Sequence, residues 1–389
     1  MSKIRVFFLS STPLTRMSTG YHVVKGGESQ INKQLSQIYD VESFEWTKRI
    51  ESMYSLKLVY LLDSFQILTS LLRSLLTGRF KVIVMTGMPV LESIPTFIIA
   101  KLLRVPIIIR ETHWYWPKTL PSMFTWPINK IIVSNSNLVV CPGKKAYEYW
   151  HSLSIPNNKL LIVPFYASTL KIDQKIEEAA IDFHTTYRNN VVILYFGRLI
   201  EKKGIDYLIK AFAKLHERFD NIVLMIIGEG PERHNLEKLC IQMKLTDVVF
   251  RGAVEEKLKA AYFLGADIYV YPSITLGLPE EWPLGVVEAM SVGKPVIVST
   301  AVGSAPDVVK QGVNGFVVQE KNVNALYNAI KIMIENPALR IRMGLASKYI
   351  IEEGFTYYHA VKGLDTAIKT VARYPEKKSL PPKTTPRLE

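Results

Sequence analysis

The sequence predicts two doubly wound α/β domains, each built on a mostly parallel sheet with helices on both faces. Three observations carry this. The chain has 389 residues, more than one ordinary core accommodates, so two domains of roughly 150 to 200 residues are expected. Short apolar runs bounded by turn residues alternate with helical stretches in both halves, which marks parallel strands buried on both faces. Between the halves, residues 166–190 (YASTLKIDQKIEEAAIDFHTTYRNN) are polar and charged and interrupt the alternation. They read as a linker.

The first domain is expected over residues 1–165. Its strands are KIRVFFLS, KVIVMTG, VPIIIRE, NLVVCPG and KLLIVPF, with helices near residues 28–38 and 91–103. The opening MSKIRVFFLSSTP is basic and then apolar, but the run from Val6 to Leu9 is too short for a secretory leader and reads as the first strand. No run of 18 uncharged apolar residues occurs, so no spanning helix is expected. Residues 54–80 are Leu-rich, with Asp63, Gln66, Ser70, Arg73 and Thr77 forming a narrow polar stripe at helical spacing. They suit either a helix packed on the sheet or an amphipathic surface facing a membrane.

The second domain is expected over residues 191–355, with strands NVVILYFGRL, NIVLMIIGEG, DVVFRGAV, ADIYVYPS and KPVIVST. Helices fall near residues 204–216, 231–243, 255–264 and 284–292. A last helix, 356–373, is expected to return to the first domain. The Pro- and Lys-rich residues 374–389 read as a disordered tail.

Composition narrows the class. With 48% hydrophobic and 21% charged residues the chain is globular. Cys141 and Cys240 are the only cysteines, so neither a disulfide framework nor a structural zinc site is expected, and a reducing, cytoplasmic setting is. The net charge of +13 is uneven: residues 1–165 carry 19 Lys and Arg against 9 Asp and Glu, the rest 29 against 26. A basic first half suits an anionic surface such as a membrane leaflet or nucleic acid. Solvated lysines without a partner are the plainer reading.

Ligands of open parallel sheets bind outside the carboxyl ends of the strands, and the unusual residues cluster there. In YFGRLIEKKGIDYL, Arg198 and Lys203 flank a loop that ends at Gly204 beside a helix start. A guanidinium fork, an ammonium and free helix N–H groups suit a diphosphate; a solvated basic loop is the alternative. In GEGP, Gly228 and Gly230 follow a strand and allow close approach of a ligand to the backbone, or simply a tight turn. In PEEWPLGVVEAMSVGKPVIVS, Glu280 precedes a short helix and Glu288 lies within it. Two acids there can accept hydrogen bonds from sugar or ribose hydroxyls. Helix-dipole complementation explains Glu280 and Glu281 as well, but not Glu288 amid Val286, Val287, Ala289 and Met290, where a carboxylate needs a partner. Gly26 and Gly27 precede the first helix. In IIIRETHWYWP, His113 follows a strand, with Trp114, Tyr115 and Trp116 after it. It suits donation to a sugar hydroxyl or proton transfer, or a packed loop.

Taken together, GRL-x4-KG, GxGP, Pro272-Ser273, the Glu280 to Glu288 spacing and EAMSVGKPVIVS resemble family-4 retaining glycosyltransferases of the two-domain GT-B class, in order and spacing across about residues 191–318. The resemblance implies two Rossmann-like domains facing a central cleft and transfer of a hexose, with retention, from a nucleoside-diphosphate sugar such as a UDP-sugar. His113, Arg198, Lys203 and Glu280 would be catalytic. Gly26, Gly27, Gly228, Gly230, Arg251, Trp282, Leu284, Gly285 and Glu288 would bind the donor. No metal or other cofactor is implied, and no Asp-x-Asp occurs. The acceptor would be the hydroxyl of a glycan or a lipid-linked molecule, met at the inner face of the membrane through a peripheral contact; nucleic acid is not expected. The chain departs from the family in two places. Glu280-Glu281-Trp282-Pro283 stands where Glu-Gly-Phe-Gly is common, and Pro283 has no N–H to donate. Pro164-Phe165-Tyr166-Ala167-Ser168 replaces the usual Pro-Asn-Gly-Val-Asp. These leave the donor sugar open. A nucleotide-sugar epimerase on the same architecture and a non-catalytic nucleotide-sugar or nucleic-acid binder are the alternatives.

Overall fold

The computed structural model describes residues 5–10, 16–17, 20–21, 40–45, 81–86, 90–116, 120–166, 170, 172–277 and 280–372. Gly26, Gly27, the helix expected at 28–38, the stretch 54–80 and the tail 374–389 lie outside the described residues. The chain forms two compact units. One takes Met1–Pro142, Ala146–Pro164 and Tyr358–Glu389; the other takes Gly143–Lys145 and Phe165–Tyr357.

The first unit is a six-stranded sheet of β1 (Arg5–Ser10), β2 (Asp40–Glu45), β3 (Val82–Thr86), β4 (Ile107–Arg110), β5 (Leu138–Cys141) and β6 (Leu160–Ile162), in the order β2-β1-β3-β4-β5-β6. All its ladders are parallel, with Ile83 paired to Ile107 and Ile109 to Val139. Ile83, Met85, Ile107, Ile109 and Val139 are buried together with Trp150. Branched side chains favour the extended backbone, and each such side chain contributes about 1.5–3 kcal/mol on burial. Helices α1 (Val90–Leu102), α2 (Leu120–Ser134) and α3 (Lys144–Ser152) follow the strands in alternation.

The second unit repeats the scheme. A polar stretch expected as a linker contains α4 (Gln174–Thr186), capped by the Asp173 carboxylate, which accepts from the Ile176 N–H at 3.0 Å. Ile176 and Ala180 pack on Ala260 and Ala261, so α4 is part of this unit. Its few apolar residues sit at helical spacing, and an average over the segment hides them. The sheet comprises β7 (Val191–Phe196), β8 (Ile222–Ile227), β9 (Val248–Gly252), β10 (Ile268–Tyr271), β11 (Val296–Ser299) and β12 (Gly315–Val318). Their order is β9-β8-β7-β10-β11-β12, all parallel. The chain moves outward one way from β7 to β9 and then starts again on the other side at β10. The carboxyl ends of β7 and β10 therefore flank the point where strand order reverses, the place where such sheets bind ligands. The helices are α5 (Ile205–His216), α6 (Arg233–Gln242), α7 (Lys259–Gly265), α8 (Leu284–Ser291), α9 (Ala305–Val308), α10 (Val323–Glu335) and α11 (Pro337–Gly354). A final helix, α12 (Tyr357–Ala372), buries Ala360, Val361, Leu364, Ala367, Ile368 and Val371 along one face. From Tyr358 onward the chain belongs to the first unit.

Candidate active site

The loop after β7 carries the basic residues. Tyr195 donates its hydroxyl to the Arg198 carbonyl at 2.9 Å, which holds the loop as it leaves the sheet. The Arg198 side chain is exposed. One turn of 3-10 helix, Glu201–Lys203, then ends at Gly204 with φ +62°. Gly204 is required twice over: the conformation is left-handed, and a Cβ would strike the Pro272 carbonyl oxygen. The Ile274 N–H donates to the Lys202 carbonyl at 2.8 Å, which ties this loop to the one after β10.

The turn points Lys203 inward, and the residue is only 6% exposed. Its ammonium donates to the Tyr271 hydroxyl at 2.5 Å and to Glu280 Oε2 at 2.6 Å. The Tyr271 hydroxyl donates onward to Glu280 Oε1 at 3.3 Å, and the Lys202 ammonium lies 3.5 Å from Glu280 Oε2. The backbone of Glu280 is also held, since its carbonyl accepts from the Gly303 N–H at 2.7 Å in a bridge to the loop after β11. Burial draws the Lys203 pKa down, and Glu280 restores only part of that. Burial alone would raise the Glu280 pKa, but Lys203 and then Lys202 outweigh it and hold the carboxyl below its ordinary value. Burial, then the Glu280 charge, pushes the Tyr271 phenol well up. The group brings together a phenol, one carboxyl and two lysine side chains, with the Arg198 guanidinium close enough to depress Lys203 further. The sum is positive, which suits an anion.

Tyrosines form the floor beneath it. Tyr195 and Tyr271 stack at 6.0 Å, and Tyr269 and Tyr271 at 6.3 Å. Tyr269 donates to the Phe196 carbonyl at 3.2 Å. Gly285 has no side chain for a packing reason, as a Cβ would lie 2.5 Å from the Tyr269 hydroxyl.

Helix α8 brings the second acid. Glu288 is 1% exposed, and its partner is Lys259 at the start of α7, 2.7 Å from Oε2. The Lys259 ammonium also lies over the Phe196 ring at 5.5 Å, which brings this pair to the end of β7. The amino end of α8 has Pro283 as its cap residue and no side-chain cap. Its Leu284 is exposed and Gly285 half-buried, and the first N–H groups of a helix lack partners within it. The ring of Trp282, a residue expected to bind the donor, packs into the unit's core, with Phe165 at 6.1 Å and Phe355 at 6.0 Å.

The GEGP glycines serve a contact between loops. Gly228 has φ +135°, and a Cβ there would strike the Gly197 carbonyl; at Gly230 it would strike that of Leu199. The Leu199 N–H donates to the Glu229 carbonyl and its carbonyl accepts from the Glu232 N–H, at 2.9 and 3.0 Å. Arg251 is exposed near the end of β9, and the next residue, Gly252, accepts from the Gly228 N–H at 2.9 Å.

His113 belongs to the first unit, after β4. Its Nδ1 lies 2.5 Å from Oε1 of the buried Glu111, and its ring centroid 4.9 Å from that of Trp116. A carboxylate at Nδ1 sets the tautomer in which Nε2 carries the lone pair. Burial, then Glu111, pushes the buried Cys141 thiol far up, which makes it inert. Sequence reasoning missed Lys202, Lys259 and the three tyrosines. A signal existed for the tyrosines: Tyr195, Tyr269 and Tyr271 stand within the last three residues of strands whose other members are aliphatic or Phe.

Residues 177–349 match the family described as glycosyl transferases group 1. This region is similar to group 1 glycosyltransferases. An uncharacterized glycosyltransferase of Haemophilus influenzae is 31% identical over 165 residues, 42% of this chain and 45% of its own length. The GDP-mannose-dependent alpha-(1-6)-phosphatidylinositol monomannoside mannosyltransferase of Mycolicibacterium smegmatis is 34% identical over 164 residues, 41% of this chain and 42% of its own. The chain thus spans less than half the length of these two relatives. The solved structure of HepE from Anabaena in complex with UDP superposes with a TM-score of 0.70 at 18% identity, covering 94% of this chain and 99% of that one. The matched region lies within a fold of the GT-B class, as the resemblance implied, and it contains every expected site residue except His113, Gly26 and Gly27.

Proposed function

We propose that the protein transfers a hexose, with retention and without a metal, from a nucleoside-diphosphate sugar to a hydroxyl of a glycan or lipid-linked acceptor. The observation that carries this is the positive group of Arg198, Lys202 and Lys203 around Glu280, built where strand order reverses in a region similar to group 1 glycosyltransferases. The diphosphate binds Arg198, Lys203 and the first turn of α8. Glu280 accepts from sugar hydroxyls, and Glu288 from ribose hydroxyls alongside Lys259. As the bond from the anomeric carbon to the phosphate oxygen breaks, charge grows on that phosphate, and cations already aimed there lower the barrier. The acceptor oxygen bonds to the anomeric carbon from the same face, and its proton passes to the departing phosphate.

Two nucleotides have support. HepE was solved with UDP, and the mycolicibacterial relative is named for GDP-mannose. The test is thermal unfolding with UDP or GDP and no added metal. A ligand at about 100 times its Kd should stabilise by about 2.7 kcal/mol. Arg198→Ala should lose most of that shift. If neither nucleotide shifts the transition, the reading fails.

A lipid-linked acceptor is supported by the first unit. On α2, Met123, Phe124 and Ile131 are 65%, 76% and 59% exposed, and together with the exposed Pro127 they fall within one arc of the helix. The helix carries no acid, and Lys130 lies over the Trp126 ring at 5.2 Å. An apolar stripe with a cation beside it fits an anionic leaflet. Among the described residues no helix is long and apolar enough to cross a membrane. Phe124→Asp with Ile131→Asp is expected to reduce flotation with anionic phospholipid vesicles about tenfold, a loss of about 1.4 kcal/mol, while leaving the nucleotide-induced thermal shift in place. Unchanged flotation would remove α2 from the membrane contact.

A further inference from the structure

The turn that carries Lys203 bears on one residue of the loop after β10. Ile274 is 6% exposed. Its N–H donates to the Lys202 carbonyl at 2.8 Å, and a Cβ at Gly204 would lie 3.0 Å from Ile274 Cγ2. Lys202 and Gly204 bracket Lys203 in the chain, so the backbone on either side of the enclosed lysine rests against Ile274. The residue after Ile274 is gripped from the edge of the sheet. Thr275 donates its N–H to Glu320 Oε2 at 2.5 Å and its hydroxyl to Glu320 Oε1 at 2.8 Å. Glu320 lies in the loop after β12, the edge strand two places from β10. Its own N–H donates to the Thr300 hydroxyl at 3.1 Å. The chain turns just beyond it, with Lys321 at φ +59° and Asn322 capping α10.

We propose that Glu320 is a positioning residue for the donor site: by holding Thr275 at two points it fixes Ile274 against the turn that presents Lys203. This rests on the donor-site reading above. Two donors from one residue on one carboxylate fix orientation as well as distance. Burial does not do this work here, because Thr275 is exposed and Leu276 is 44% exposed. Hydrogen bonds therefore set the path of the chain as it leaves Ile274.

The ties also close a ring. At its start the loop is held at Thr275 through Glu320 to Thr300. At its end the Glu280 carbonyl accepts from the Gly303 N–H at 2.7 Å. Thr300 and Gly303 belong to the same loop after β11, so Ile274, which braces Lys203, and Glu280 share one frame. The charge of Glu320 gives no competing account. A negative group among these loops opposes an anion, so its removal should tighten diphosphate binding if it acted through its field alone. A positioning role has the opposite sign.

The test uses the full chain and its Glu320→Ala, Glu320→Gln and Thr275→Val variants. Calorimetry with UDP and with GDP, without added metal, reads the donor site. Glu320→Ala should weaken binding by about tenfold. Glu320→Gln should stay within about threefold of the parent, since an amide accepts from the Thr275 N–H and donates to the hydroxyl, which accepts as well as it donates. Thr275→Val should weaken binding by about threefold alone and add nothing to Glu320→Ala, because both cut one tie. Amide exchange without nucleotide follows the path to Lys203. In Glu320→Ala it should rise about tenfold in peptides covering 199–205 and 272–277, with the denaturation midpoint near that of the parent. If Glu320→Ala binds nucleotide as well as the parent or better, if Glu320→Gln loses as much as Glu320→Ala, or if exchange in 199–205 does not change, the proposal is overturned while the donor-site reading stands. If the parent chain binds neither nucleotide, that reading falls and takes this one with it.

Discussion

Replacing Lys203 by alanine is expected to lower kcat by about 10²- to 10³-fold, the usual loss when one preorganised donor to a developing anion is removed. The structure explains why the effect should fall on kcat more than on KM. Lys203 is not a surface lysine drawn in by a ligand. It is enclosed, with Tyr271 and Glu280 fixing its ammonium, so its position is set before the donor arrives. Lys203→Arg should not restore the rate, because a planar fork does not fit the space of a compact ammonium. Steady-state kinetics of donor hydrolysis or transfer will check both variants, and an alanine variant within a few-fold of the parent kcat would remove Lys203 from the chemistry. The same pair sets a pH signature in stability. Glu280 is held below its ordinary value by Lys203 and Lys202 against the effect of burial, so its contribution is present above the unfolded carboxyl pKa, about 4.3. It is lost as pH falls through the lowered folded value. Lys203 works the other way. Burial lowers its pKa, so its charge costs stability through the neutral range, and the cost is relieved as pH rises from that value toward about 10.4.

That Lys203 and Glu280 meet at all was not readable from either motif. They are 77 residues apart, in two stretches with separate local explanations. The sequence supports each strand on its own, because Val, Ile and Leu runs bounded by glycine have few other uses. What joins the two loops is the position of β7 and β10 side by side. The register of neighbouring strands is a property of the whole sheet, and no local pattern encodes it. The helix around Glu288 was legible, as was the need of its carboxylate for a partner, since every neighbour in the helix is apolar. The identity of that partner was not, because Lys259 lies in a helix 29 positions earlier and looks like any surface lysine.

Glycines show the opposite failure. Gly228 and Gly230 were legible as positions that need the absence of a side chain, and the structure supplies the reason as the backbone of Gly197 and Leu199. A glycine reports that something comes close; it does not report whether that is a ligand or the chain itself.

The largest stability effect is expected at Lys259. Lys259→Met keeps the length of the side chain and deletes its charge, which strips the 1%-exposed Glu288 of an ion pair at 2.7 Å. Breaking a buried pair by removing one partner costs about 3–5 kcal/mol, because the remaining charge stays in a poor solvent. Glu288→Gln in the same background should recover much of the loss, since an amide needs no counter-ion. The double variant should therefore be more stable than Lys259→Met alone, the reverse of additive damage. Chemical denaturation followed by fluorescence will measure all three, with the midpoint falling in Lys259→Met at an unchanged slope. The cycle also separates two uses of Glu288. If the residue serves stability only, the double variant should bind nucleoside diphosphate as the parent does. If its carboxylate also holds ribose hydroxyls, the double variant should fold well and bind weakly, because an amide offers one acceptor oxygen where a carboxylate offers two. A Lys259→Met chain as stable as the parent would show that Glu288 is kept by something other than this pair, and the ion pair would no longer account for a carboxylate inside an apolar helix.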